Sequence, residues 1–98
     1  MHVKELDLSG CRLRDFNDMF DHNKFPDLRT LNLNKNYLES LKGFGFCPKL
    51  RILTLSGNRI ETLFAKPDNN NRPIGLLGLV SLEVLDVSFN SLNNLYGL

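Results

Sequence analysis

Few residues in this chain have the type and spacing that chemistry requires. The two histidines, His2 and His22, lie at the start of the chain and in a polar stretch, and both read as surface residues. The two cysteines, Cys11 and Cys47, fall at places in an internal repeat that face a core. They read as buried free thiols, with nothing nearby to depress a thiol pKa as a nucleophile needs. Asp7 and Asp86 hold matching places in the same repeat and could be imagined as an acid–base pair. Three strand spacings of about 4.8 Å would separate them by roughly 14 Å, wider than even an inverting carboxylate pair. There is no glycine-rich phosphate loop, no metal-ligand spacing, and no serine or cysteine paired with a base. The expectation is a protein that is not an enzyme, with no catalytic residue, metal or cofactor.

The elements that carry these residues are read from Leu50 to Ile60, L-R-I-L-T-L-S-G-N-R-I. Its apolar residues stand at Leu50, Leu53, Leu55 and Ile60, with Asn58 between the last two. That spacing suits neither an amphipathic helix nor a plain strand, but a short strand running into a turn closed by asparagine. The pattern recurs as Leu28, Leu31, Leu33, Asn36, Leu38 and as Leu82, Leu85, Val87, Asn90, Leu92. Val3, Leu6, Leu8, Cys11 and Leu13 form the first copy, with cysteine in the asparagine position. Self-similarity on this scale is the signature of a solenoid. Parallel strands would stack the leucines into one core, and Asn36, Asn58 and Asn90 would form a buried ladder serving backbone groups freed at the turns.

The repeats start at residues 3, 28, 50 and 82. Phe16, Met19, Phe20 and Phe25 have near-helical spacing, and Asp15 can cap the start, so a short helix is predicted near residues 16–22. Leu38, Leu41, Phe44 and Cys47 recur every third residue, which suits 3₁₀ turns. The third repeat is longer than the second by an insertion at about residues 64–75, where two prolines and three consecutive asparagines mark an exposed loop.

These motifs resemble the leucine-rich repeat, and the second copy resembles its short, 22-residue intracellular class. That is the class of the phosphatase-1 regulator, the spliceosomal A-prime protein, axonemal dynein light chain and tubulin-folding cofactor E. The resemblance implies an α/β leucine-rich-repeat solenoid of about three and a half repeats forming a single domain over residues 1–98. Its parallel β-sheet would line the concave face, with 3₁₀ or short helical turns on the convex face. Extracellular relatives usually close their ends with disulfide-bonded caps. None is visible here, so the expected location is intracellular, cytoplasmic or nuclear, with a ciliary or axonemal setting as a further case.

The chain has 98 residues and a net charge of +1, which gives no push toward nucleic acid or an anionic membrane. No apolar run approaches the eighteen or so residues of a membrane span. The first repeat opens at Val3 with no covering element, and the fourth stops in mid-repeat at Leu98. Bare edges invite pairing, so end-to-end contacts through Leu92, Leu95 and Leu98, or continuation of the solenoid, are expected.

Function is expected on the concave face. Its columns read Glu5, Thr30, Ile52, Val84; then Asp7, Asn32, Thr54, Asp86; then Ser9, Asn34, Ser56, Ser88; then Gly10, Lys35, Gly57, Phe89. A protein partner would touch Thr30, Asn32, Asn34, Ile52, Thr54, Ser56, Val84, Asp86 and Phe89, with Ile52, Val84 and Phe89 as apolar anchors. Ile52 and Val84 also read simply as good strand formers. Phe89 could equally pack beneath the next repeat. Lys4, Arg29 and Arg51 form a basic column that reads as a solvated rim, as a seat for an acidic peptide or helix, or, more weakly, as an RNA contact. The alternative function is a structural subunit of a large axonemal or ribonucleoprotein assembly, held through its open ends and insertion loop. Regulation of a phosphatase or another enzyme rests on the resemblance alone.

Overall fold

The computed structural model describes residues 3–16, 19–21, 23–45, 47–62 and 79–92. Four short strands, β1 (Glu5–Asp7), β2 (Thr30–Asn32), β3 (Ile52–Thr54) and β4 (Val84–Asp86), form one parallel sheet in the order β1-β2-β3-β4. Every strand begins two residues after a repeat start read from the sequence. Register places Leu6, Leu31, Leu53 and Leu85 in one row, so the leucines do stack. Side chains alternate across a strand, which sends that row inward and its neighbours outward. Leu31, Leu33, Leu53 and Leu55 are fully buried, while Leu6, Leu8, Leu85 and Val87 in the outer repeats are partly so. Parallel pairing continues past the strands, through Leu8 N–H to Asn32 O at 2.8 Å and Lys35 N–H to Ser56 O at 2.8 Å.

Leu38, Leu41, Phe44 and Cys47 close the core from the convex side. Their every-third spacing appears as isolated turns, such as Phe44 N–H to Leu41 O at 3.0 Å and Leu50 N–H to Cys47 O at 3.2 Å. Phe44 packs edge-on against Phe16, with centroids 5.0 Å apart, and stacks on Phe20 at 5.8 Å.

Two expectations need correction. Among the described residues of 16–22 none is helical; a single turn joins Met19 N–H to Phe16 O at 2.9 Å. The Phe20 carbonyl accepts Gly45 N–H of the next repeat at 2.8 Å, which ties this stretch to its neighbour. The approach is close: a Cβ on Gly45 would lie 2.5 Å from the Asp21 Cβ. The near-helical spacing of the phenylalanines therefore reflects the shared core, not a helix. Cys11 is also not a core thiol. It is exposed, whereas Cys47 is buried, and both are free. His2, His22, the insertion at 64–75, Leu95 and Leu98 lie outside the described residues.

Cys11 stands in the column of the ladder asparagines. Each ladder asparagine serves the repeat before its own. The Asn36 amide donates to Leu8 O, and its carbonyl oxygen accepts from Cys11 N–H and Leu13 N–H, each at 3.0 Å. Asn58 donates to Leu33 O at 2.9 Å and accepts from Leu38 N–H at 3.1 Å. Asn90 donates to Leu55 O at 2.8 Å and accepts from Ile60 N–H at 2.9 Å. Each also donates to the carbonyl three residues earlier in its own repeat. At position 11 a weakly bonding thiol stands in the place of the amide; it reaches only Ser9 O, at 3.6 Å.

Asn58→Ala should therefore leave Leu38 N–H without a partner, while Leu33 O and Leu55 O each keep one other asparagine. The expected loss is about 1–3 kcal/mol for the orphaned donor. Cys11→Asn should stay within about 0.5 kcal/mol of the parent. Urea unfolding of both variants checks this contrast.

Candidate protein-binding face

The strands are short because each must turn at once toward the convex side, and the turn chemistry occupies much of the outward face. Asp7 Oδ1 accepts Ser9 N–H at 2.9 Å, Asn32 Oδ1 accepts Asn34 N–H at 3.0 Å, and Asp86 Oδ1 accepts Ser88 N–H at 2.9 Å. An Asp or Asn bonding two residues ahead is the usual way such a side chain fixes a turn. Thr54 stands in this column in the third repeat. There Asn34 Oδ1 of the preceding repeat takes Ser56 N–H at 2.8 Å, while the Thr54 hydroxyl donates to Asn32 Oδ1 at 3.2 Å. The Ser88 hydroxyl bonds both Asp86 Oδ1 at 2.7 Å and the Ser56 hydroxyl at 2.9 Å.

These bonds set the electrostatics. The Ser9 N–H, and then its hydroxyl, hold the Asp7 carboxyl below its ordinary pKa; Ser88 does the same for Asp86. On the opposite side of the core, burial and then the Asp21 charge push the Cys47 thiol up to about 12. Cys47 thus stays protonated and inert near neutral pH. No three His, Cys, Asp or Glu side chains among the described residues gather as a metal would need.

The structure sets six of the nine residues expected to meet a partner in register on the sheet. Thr30, Ile52 and Val84 lie in register, as do Asn32, Thr54 and Asp86. Asn34 and Ser56 follow them into the turns, and Phe89 stands in the turn after β4. Exposure divides the set. Thr30, Asn32, Asn34, Thr54, Ser56 and Asp86 are half-buried, and apart from Thr30 their outer groups are engaged in the turn bonds. Ile52, Val84 and Phe89 are exposed, Phe89 by 86%. The expectation that Phe89 could pack sideways finds no contact among the described residues.

Three features escaped the sequence reading. The column Gly10, Lys35, Gly57, Phe89 is left-handed throughout, with φ of 64°, 59°, 74° and 56°. Two glycines in one column were the available signal. The basic column Lys4, Arg29, Arg51 ends in an acid, Glu83, and reading it one repeat further would have found this. Arg51 Nη2 meets Glu83 Oε2 at 2.6 Å. Finally, the Arg59 guanidinium lies 4.8 Å from the centre of the Tyr37 ring, on the flank of the ladder.

This parallel stack of leucine strands with its asparagine ladder defines a class of protein, and comparison bears out the assignment. The leucine rich repeat family model matches residues 1–60, and the chain belongs to that family. A probable disease resistance protein of Arabidopsis thaliana is 39% identical over 74 residues, which are 74% of this chain. The match spans 7% of that protein's own length. No solved structure gives a significant match.

The lowered carboxyls predict an acid limit to stability. A group with a depressed folded pKa stabilises above its unfolded value, about 3.9 for Asp, and loses that contribution as pH falls through the folded value. Melting temperature should therefore drop as pH falls below about 4. In the pair Asp7→Asn and Asp86→Asn the turns should survive, as Asn32 shows, and the acid drop should be shallower. Thermal melts across this range check it.

Proposed function

We propose that the chain is a non-catalytic protein-interaction module that binds a partner protein on its concave face. Ile52, Val84 and Phe89 are its anchors. The half-buried Thr30, Asn32, Asn34, Thr54, Ser56 and Asp86 form the floor around them. Membership of the leucine-rich-repeat family supports the general role, since a solenoid offers an extended concave surface by its geometry.

The observation that carries the reading is Phe89. Left-handed backbone costs an L-residue with a bulky side chain roughly 1–2 kcal/mol. The equivalent places in the other repeats hold Gly10 and Gly57, which avoid that cost, and Lys35, which bears it at φ 59°. In the fourth repeat the seat holds a phenylalanine whose ring gives nothing to the described core. Strained, exposed aromatic residues belong to functional sites more than to scaffolds. Ile52 and Val84 occupy one column in adjacent repeats, while among the described residues the other large exposed apolar side chains, Met19, Tyr37 and Val80, stand outside the strands.

Two variants test this. Phe89→Gly should hold or raise stability, by up to about 1 kcal/mol, because it relieves the left-handed strain at some cost in chain entropy. It should nonetheless weaken recovery of the partner from cells. Ile52→Asp with Val84→Asp should leave the circular dichroism spectrum unchanged and abolish recovery. Undiminished recovery by both variants would show that the concave face is not the binding surface.

A further inference from the structure

The four residues just ahead of the strands, Lys4, Arg29, Arg51 and Glu83, form a column locked to the sheet by the backbone. Arg29 N–H donates to Lys4 O at 2.9 Å, Arg51 N–H to Arg29 O at 2.8 Å, and Glu83 N–H to Arg51 O at 2.8 Å. All four side chains are exposed. Among the described residues Lys4 and Arg29 make no ion pair, whereas Arg51 binds Glu83 through Nε at 2.7 Å and Nη2 at 2.6 Å. Lys4, Arg29 and Arg51 share a shallow depression with Glu5, Thr30 and Ile52, and Ile52 begins the exposed apolar column. The face is therefore graded. Its β1–β2 side carries unpaired cations, and its β3–β4 side carries Ile52, Val84 and Phe89.

We propose that this gradient receives an extended acidic-then-apolar segment of a partner protein. Its carboxylates would sit at Arg29, Lys4 and Arg51, and its apolar residues would lie against Ile52, Val84 and Phe89. The inference rests on the concave face being the binding face. A guanidinium donates paired hydrogen bonds to a carboxylate, and Arg51 already donates from Nε and Nη2 to one oxygen, Oε2, of Glu83. That pair is more than half exposed on both sides, so it is weakly held and a partner's carboxylate can displace it. Glu83 is then an internal stand-in for the partner's acid. The net charge of +1 gives little pull on a continuous phosphate backbone, which disfavours RNA. Spacing fixes a register. Two strand intervals of about 4.8 Å separate the Arg29 row from the Val84 row, and an extended chain in the polyproline II conformation rises about 3.1 Å per residue with every third side chain on one face. The acidic and apolar side chains should thus stand about three residues apart.

The test is selection of a random peptide library displayed on phage against the chain, followed by fluorescence anisotropy with the selected peptide made synthetically. Enrichment of Asp or Glu about three residues from an aliphatic or aromatic residue is expected. Arg29→Glu should weaken the peptide roughly tenfold or more, and added salt should weaken it as well. Glu83→Gln should tighten it severalfold, because it frees Arg51; a purely structural role for the pair would instead leave affinity unchanged or lower it. Circular dichroism confirms that each variant is folded. Enrichment of basic or uncharged sequences overturns the proposal. So does binding that Ile52→Asp abolishes and Arg29→Glu leaves intact, an outcome that preserves the concave face as the site. Binding of a single-stranded oligouridine that depends on Arg29 and not on Ile52 overturns it in favour of RNA. Failure to enrich any sequence, or binding indifferent to both substitutions, overturns the underlying reading too.

Discussion

The fold depends on one interaction, the reach of a ladder asparagine back into the repeat before it. A parallel strand only three residues long satisfies few of its own backbone groups before the chain turns. The groups at that turn are buried among leucines, where each unmet donor is expensive. The primary amide of asparagine has both a donor and an acceptor end at the right reach. Asn58 uses both, and it joins the carbonyls of Leu33 and Leu55 in adjacent repeats. Stacking and turn closure are therefore one event. A repeat does not close its turn alone, since the amide that completes it arrives with the next repeat. This gives molecular content to the rule that solenoid stability lies in nearest-neighbour interfaces.

The ladder explains which parts of the structure could be read in advance. The register of Leu6, Leu31, Leu53 and Leu85 was legible because inward residues repeat with a fixed chemistry. Asn36, Asn58 and Asn90 were legible for the same reason. The helix expected near 16–22 failed because spacing alone cannot tell a helical face from aromatic residues drawn into a common core. Phe16, Phe20 and Phe44 meet as a cluster, and the Phe20 carbonyl is taken by Gly45. That contact is long-range and leaves no local periodicity. The burial assigned to Cys11 failed because position in the repeat was taken to fix environment. A cysteine lacks the donor and acceptor pair of an amide, so it does not take up the ladder bonds that Asn36 and Asn58 make.

The columns of the candidate face were legible, but not their division of labour. Columns Thr30–Ile52–Val84 and Asn32–Thr54–Asp86 follow from counting residues. What counting does not reveal is that Asn32, Asn34 and Asp86 are already committed to the turns, so little of their hydrogen-bonding capacity remains for a partner. Nor does it reveal the left-handed seat shared by Gly10, Lys35, Gly57 and Phe89, since backbone sign is a property of the turn and not of hydrophobic pattern. The groups left over are Ile52, Val84 and Phe89 on one side and the cations Lys4 and Arg29 on the other.

Such a division lets the face vary while the scaffold holds. Thr54 shows how. It replaces the Asp or Asn that fixes the turn in the other three repeats, and the turn nevertheless survives, because Asn34 of the neighbouring repeat supplies the missing acceptor to Ser56 N–H. A turn in the middle of the stack thus has two possible donors of the same service, its own side chain and its neighbour's. Redundancy of this kind frees single outward positions to change. The inward leucines have no equivalent freedom, because Leu31, Leu33, Leu53 and Leu55 fill a core with no exposed surface to yield. Substitution in this chain is therefore tolerated where the scaffold does not depend on the side chain: at the outer ends of the strands, at the left-handed seat, and in the charged column before each strand.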